Sequence, residues 1–229
     1  IEAAASTGGQ LMPPVMGAGA FILATWTNIP YLRVATAALI PASLYYVGLY
    51  MAIHFGALNE GLGAAEQSTK PGALAARVHL LIPIVVIVVF LALGRSPMRA
   101  AFWGTIAAAL ATMARRDTRF DIDGGRRALI AGASGTVQVA AACATAGIVV
   151  GVASLTGIGL RMSELIVTLS GGNLLGALGL TAIGSIVLGM GLPTTAAYVV
   201  LAAFGAPALT QLGVPLLAAH LFIFYFGCI

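Results

Sequence analysis

Two strongly apolar stretches of this chain are interrupted where a membrane helix should run on. The first interruption is Ser6-Thr7-Gly8-Gly9-Gln10-Leu11-Met12-Pro13-Pro14, the second Gly189-Met190-Gly191-Leu192-Pro193-Thr194-Thr195. In hydrocarbon an unpaired backbone N–H or C=O is so costly that broken helices persist only inside protein or beside a water-filled cavity. Two prolines after a Ser-Thr-Gly-Gly run remove a full turn of helix hydrogen bonds, which is more than a kink. Paired interruptions of this kind point to the ion and substrate sites of a secondary transporter. Freed carbonyls and the hydroxyls of Ser6, Thr7, Thr194 and Thr195 suit a small cation, and half-helix N-termini favour an anion. Thr194 and Thr195 serve equally well as caps for the helix that follows.

Composition places these interruptions in a membrane. The chain is 60% hydrophobic and 8% charged, with mean hydropathy +1.02, whereas soluble domains carry about 25% charged residues. The net charge of +4 sits in a few short clusters. No basic stripe with interleaved aromatics is present, which argues against a nucleic-acid partner. Cys143 and Cys228 lie far apart in apolar surroundings and read as buried thiols. His54, His79 and His220 fall near span ends and have no partner at metal-ligand spacing. No nucleophile–base–orienter set appears, and the carboxylates lie in loops or at the chain start, so neither enzyme chemistry nor a cofactor is expected. The chain opens at Ile1 without initiator Met or signal peptide and stops inside an apolar run, which reads as an internal fragment of a longer protein.

A spanning helix needs about 20 apolar residues. Residues 15–27 are too few and read as the second half of a broken helix, closed by the Asn28-Ile29-Pro30 turn. Residues 32–58 span, kinked at Pro41, and residues 59–77 form a loop. Residues 78–94 span, 95–99 turn tightly, and 100–113 return. Residues 115–127 form a charged loop with five arginines, at 115, 116, 119, 126 and 127. Residues 128–157 form a long Ala/Gly-rich span suited to close packing inside a bundle, with Gln138 as a link between helices. Residues 161–173 suggest an amphipathic interfacial helix, with Asn173 capping the next one. Residues 174–188 and 196–206 are each too short to cross. They read as a re-entrant hairpin with its tip at the second interruption. Residues 207–215 turn, and a further helix starts at Leu216. Lys and Arg collect on the cytoplasmic side. Residues 59–77 and 115–127 are therefore expected inside, and residues 28–30, 95–99 and 161–173 outside, so the hairpin enters from outside. Tyr45, Tyr46, Tyr50, Tyr225 and Trp103 read as interfacial or packing aromatics.

The run from Ala4 through Pro14 to Phe21 closely resembles the large permease subunit of tripartite ATP-independent periplasmic (TRAP) transporters, in the TAXI-type, fused-permease branch. The runs Gly189–Tyr198 and Ala218–Gly227 resemble it too, and the resemblance extends over essentially the whole chain. It implies an all-α, polytopic, elevator-type membrane transporter built from inverted repeats, with broken helices and a re-entrant hairpin. Residues 1–27 would then be the end of the first repeat's broken helix, in the transport domain. Residues 28–127 would be connecting and scaffold helices. Residues 128–229 would be the second repeat, with its hairpin and a truncated broken helix. The resemblance implies Na⁺-coupled uptake of an organic acid delivered by a periplasmic solute-binding protein. A small membrane subunit, possibly fused, assists, and the setting is the cytoplasmic membrane of a bacterium or archaeon.

Ion and substrate contacts are then expected at Ser6, Thr7, Gly8, Gly9, Gln10, Pro13 and Pro14, and at Gly189, Gly191, Pro193, Thr194 and Thr195. Na⁺ would sit at half-sites formed by Ser6, Thr7, Gly8, Thr194 and Thr195. The family completes each site with elements lying beyond Ile1 and Ile229, so this stretch alone is not expected to transport. The alternatives are another Na⁺-coupled carboxylate or anion carrier of related architecture, and a non-transporting channel or structural membrane protein. A pore should show rings of charge or a filter sequence.

Overall fold

The computed structural model describes residues 2–14, 16–61, 75–114, 119 and 121–229. Ten α-helices and one 3-10 helix account for most of them, and no strand occurs among the described residues. In chain order these are α1 (Glu2–Leu11), α2 (Ala18–Thr27), α3 (Tyr31–Asn59), the 3-10 helix Ala75–Leu81, α4 (Ile82–Ala92) and α5 (Pro97–Met113). They continue with α6 (Ile122–Thr156), α7 (Ile158–Leu169), α8 (Leu174–Gly189), α9 (Thr194–Gln211) and α10 (Leu216–Cys228).

Among the described residues two helices are long and apolar enough to cross a membrane: α3, of 29 residues, and α6, of 35. At 1.5 Å per residue α3 reaches roughly 44 Å, longer than a hydrocarbon core of about 30 Å. Its outward face carries Ile40, Leu44, Val47, Met51, Phe55 and Leu58, all exposed, as lipid contact requires. The buried centre lies elsewhere, on α9, where the residues from Thr195 to Ala202 are buried without a gap. Helices α6, α7, α8, α10 and α2 all pack on α9, while α4 and α5 pack chiefly on each other.

Several boundaries move from their sequence-based positions. Residues 75–77, expected in a loop, begin the 3-10 helix, and residues 62–74 of that loop lie outside the described residues. Pro83, near the start of α4, sets where the α-helix begins, so the span expected over residues 78–94 is α-helical only from Ile82 to Ala92. Ser96 caps α5, accepting from the Arg99 N–H at 3.5 Å, which makes Pro97 to Arg99 helical rather than part of the turn. Of the arginine-rich loop, residues 115–118 and 120 lie outside the described residues. Arg126 and Arg127 belong to α6, because Asp121 caps that helix by accepting from the Gly124 N–H at 2.7 Å. Helix α9 continues through Pro207 to Gln211 instead of ending at Ala206. Thr210 closes the stretch from within, its hydroxyl donating to the Ala206 and Pro207 carbonyls. The turn follows at Gly213, whose φ of +88° favours glycine.

Asn173 does cap α8, accepting from the Leu175 N–H at 2.9 Å. Helix α6 is not enclosed as its small residues suggested. Only Ala146 and Ala153 are buried on it, and Gln138 lies on an exposed stretch, so it links no helices among the described residues.

Candidate functional site

The two prolines place the first break. Pro13 has no N–H for the Gly9 carbonyl, and Pro14 none for that of Gln10. The Gln10 carbonyl accepts instead from the Gly17 N–H at 2.9 Å, which folds the chain back before α2 starts. A proline disrupts bonding at itself and to the carbonyl four residues earlier, and leaves the helix before it intact. Ser6, Thr7, Gly8, Gly9 and Gln10 therefore lie inside α1, and the Met12 N–H still reaches the Gly8 carbonyl at 3.0 Å. This corrects the expectation that the whole run from Ser6 to Pro14 is broken: among the described residues the non-helical part is residues 12–14 and 16–17.

Helix α3 holds that break. The Tyr31 hydroxyl donates to the Pro14 carbonyl at 2.9 Å, and the Tyr45 hydroxyl to the Ala4 carbonyl at 2.7 Å. The rings of Tyr45 and Tyr46 lie against Gly8. A Cβ there would stand 2.8 Å from Tyr46 Cζ and 2.9 Å from Tyr45 Cε1. The Gln10 side-chain oxygen is buried and has no hydrogen-bond partner in the structure.

The second break is short. Helix α8 closes with the Met190 N–H on the Ile186 carbonyl and the Gly191 N–H on that of Leu188. Pro193 then serves as N-cap residue of α9. Thr194 and Thr195 stand in the first turn of α9, so neither is its cap; Thr195 is buried and Thr194 half-buried. Gly189 abuts α10, where a Cβ would fall 2.6 Å from the Gly227 carbonyl oxygen.

The two breaks share one core. At the start of α2, a Cβ on Gly19 would lie 2.7 Å from Phe224 Cε2 on α10 and 3.7 Å from Tyr198 Cβ on α9. Leu11 and Met16, flanking the first break, belong to the same buried cluster as Ala197, Tyr198, Phe224 and Cys228. The start of α2, the start of α9 and the second half of α10 thus converge. The profile of a family described as "Tripartite ATP-independent periplasmic transporter, DctM component" matches residues 1–229.

The chain belongs to the DctM family. No curated protein and no solved structure gave a match. DctM proteins are integral membrane permease components of TRAP transporters, and they work with a periplasmic binding protein and a small subunit.

In this DctM chain the structure adds three residues to the site that the sequence reading passed over or misplaced. Tyr198 and His220 are buried, at 1% and 8% exposure, and the Tyr198 hydroxyl lies 2.8 Å from His220 Nδ1. Their bond joins the first turns of α9 to α10, and the Tyr198 ring meets Phe224 edge-on at 5.7 Å. His220, expected near a span end, is therefore a core residue. Its signal was its type, since a histidine within an apolar run needs a partner. That partner lies 22 positions away and cannot be read from local pattern. Tyr31 is the third, and its sequence role as a helix start gives no hint of its bond to Pro14.

Proposed function

We propose that this DctM chain is the permease of a Na⁺-coupled uptake system for an organic acid, in the TAXI-type branch, working by an elevator movement in the cytoplasmic membrane of a bacterium or archaeon. A periplasmic binding protein delivers the solute, and the small membrane subunit, fused or separate, anchors the scaffold. Residues 1–27 and 128–229 belong to the two repeats and residues 28–127 to connecting and scaffold helices, with α8 and α9 as a re-entrant, polytopic bundle's hairpin. The observation that carries this reading is the convergence of both breaks on α10 in a chain of this family.

Physically, Na⁺ held by hydroxyl and carbonyl oxygens places positive charge beside a carboxylate without a buried Lys or Arg, and none occurs from Leu174 to Ile229. In this reading Thr194 and Thr195 supply hydroxyls at the hairpin tip, with Gly189, Gly191 and Pro193 shaping it. Ser6, Thr7, Gly8, Gly9, Gln10, Pro13 and Pro14 form the matching wall. Because Ser6 and Gly8 sit inside α1, the first half-site draws on its side chains and on carbonyls of its last turn.

Uptake measured against Na⁺ concentration, in cells carrying the intact transport system, tests this. Thr194→Val and Thr195→Val keep shape and remove one oxygen each. The expected result is a Na⁺ half-saturation raised about tenfold for at least one of them, the equivalent of losing about 1.4 kcal/mol of binding. Unchanged Na⁺ dependence in both would remove side-chain coordination at the tip.

Orientation is testable in the same cells, with Cys143→Ser as background. Arg119→Cys should resist an impermeant thiol reagent, and Ser96→Cys should be labelled. The reverse pattern would invert the topology and the side from which the hairpin enters.

A further inference from the structure

Helix hydroxyls in this protein commonly turn back onto the carbonyl four residues earlier. Thr25 does so to Phe21, Ser43 to Leu39, Thr105 to Ala101, Thr136 to Gly132 and Thr145 to Ala141. Two hydroxyls on α8 do not. Thr181 Oγ1 and Ser185 Oγ have no hydrogen-bond partner in the structure, although their residues are only 4% and 0% exposed. They stand one turn apart on one face of α8, between Ala177 and Gly189 at the same spacing.

That face is pressed into the junction with α9 and α10. A Cβ on Gly205 of α9 would lie 3.2 Å from Thr181 Cγ2 and 3.1 Å from Ile223 Cδ1 of α10. One turn beyond Ser185, Gly189 meets the Gly227 backbone. Buried polar groups are paired with protein or with ordered water, and two unpaired ones side by side call for one shared guest. The facing wall is apolar, and no Asp, Glu, Lys or Arg occurs anywhere on α8, α9 or α10. A cation in that wall would keep too few oxygens and no counter-charge. Water, with two donors and two acceptors, matches two hydroxyls.

We propose that Thr181 and Ser185 form a binding site for a single ordered water, buried in the seam where α8 meets α9 and α10. The water bridges the two hydroxyls and satisfies both. The α8 face packed on α9 and α10 then carries an exchangeable molecule, while α9 and α10 are joined to each other by the direct Tyr198–His220 bond. This does not depend on which solute or ion the permease carries.

The test is a pair of single substitutions and their double, made in the intact permease purified with its partners and melted thermally. Thr181→Val and Ser185→Ala should each lower Tm by about 2–4 °C, because each strands the remaining hydroxyl and the water. The double variant should melt no lower than the worse single one, since the whole polar set has then gone. Neutral singles, or falls that add in the double, would mean that each hydroxyl bonds within its own helix, and would overturn the proposal. The same melts with Na⁺ replaced by choline separate water from a cation. The proposal expects the four proteins to respond equally to Na⁺. A Na⁺-dependent gain in Tm that Thr181→Val and Ser185→Ala abolish would overturn it in favour of a cation.

Discussion

Gly189→Ala is expected to cut uptake by the intact transport system at least about tenfold. The added Cβ falls 2.6 Å from the Gly227 carbonyl oxygen, 3.2 Å from its carbon and 3.3 Å from its Cα. Backbone stands on both sides of the contact, so no rotamer change relieves it. Two effects compete. Alanine in place of glycine favours a helix by about 0.8–1 kcal/mol. Overpacking a tight contact costs about 1–3 kcal/mol, and more where the neighbour cannot yield. The clash wins, and it moves the hairpin tip away from α10, where the proposed ion site lies. A fall in uptake of at least about tenfold is expected, with protein still present in the membrane, since about 1.4 kcal/mol at the site suffices for that factor. Gly179→Ala, on the same helix with nothing within 4 Å of the new Cβ, is the control and should transport normally. Normal uptake by Gly189→Ala would mean that the α8–α10 contact does not position the tip.

Tyr198→Phe is expected to destabilise the permease more than any other loss of a single oxygen from its core. It leaves the ring and its packing on Phe224 and Trp26 in place. It strands His220 Nδ1, whose partner at 2.8 Å is that hydroxyl. A buried group left without its hydrogen bond costs about 1–3 kcal/mol. Near the middle of that range, Tm should fall by about 4–8 °C, at roughly 2–4 °C per kcal/mol for a chain of this size. His220→Phe strands the hydroxyl in turn. The double variant Tyr198→Phe/His220→Phe should lie closer to the single variants than to their sum, because contacting residues couple. Melting curves of the four purified proteins decide it, and additive losses would show that the two side chains act separately.

Much of the second break could be read from residues alone. Gly189, Gly191 and Pro193 are local signals, since they stop one helix and start the next within a few positions. The first break looks too wide in the sequence, because Gly8 and Gly9 resemble breakers. Both lie inside α1, and Tyr45 and Tyr46 of another helix pack against Gly8, a contact that no local pattern shows. Pro207 misled in the opposite way: it looks like an end, yet α9 runs on past it and Thr210 bonds back to it. The composition of the long Ala/Gly stretch in α6 suggests enclosure. Enclosure is a property of neighbours, and among the described residues most of that helix has none. His220 and Tyr198 show the same limit at the site, for their bond is made only when α9 and α10 meet.

The contact of Gly189 with Gly227 bears on how the hairpin can move. A joint formed by main chain on both sides has no side chain with which to adjust its fit. Ser185 is the next residue on the same face, so sliding α8 by one turn along α10 would bring its Cβ against the Gly227 carbonyl, where Gly189 fits because it has none. The helix therefore has one axial setting against its neighbour. Helix α8 can travel with α10 as a single piece, or lift away from it, but it cannot ratchet past it.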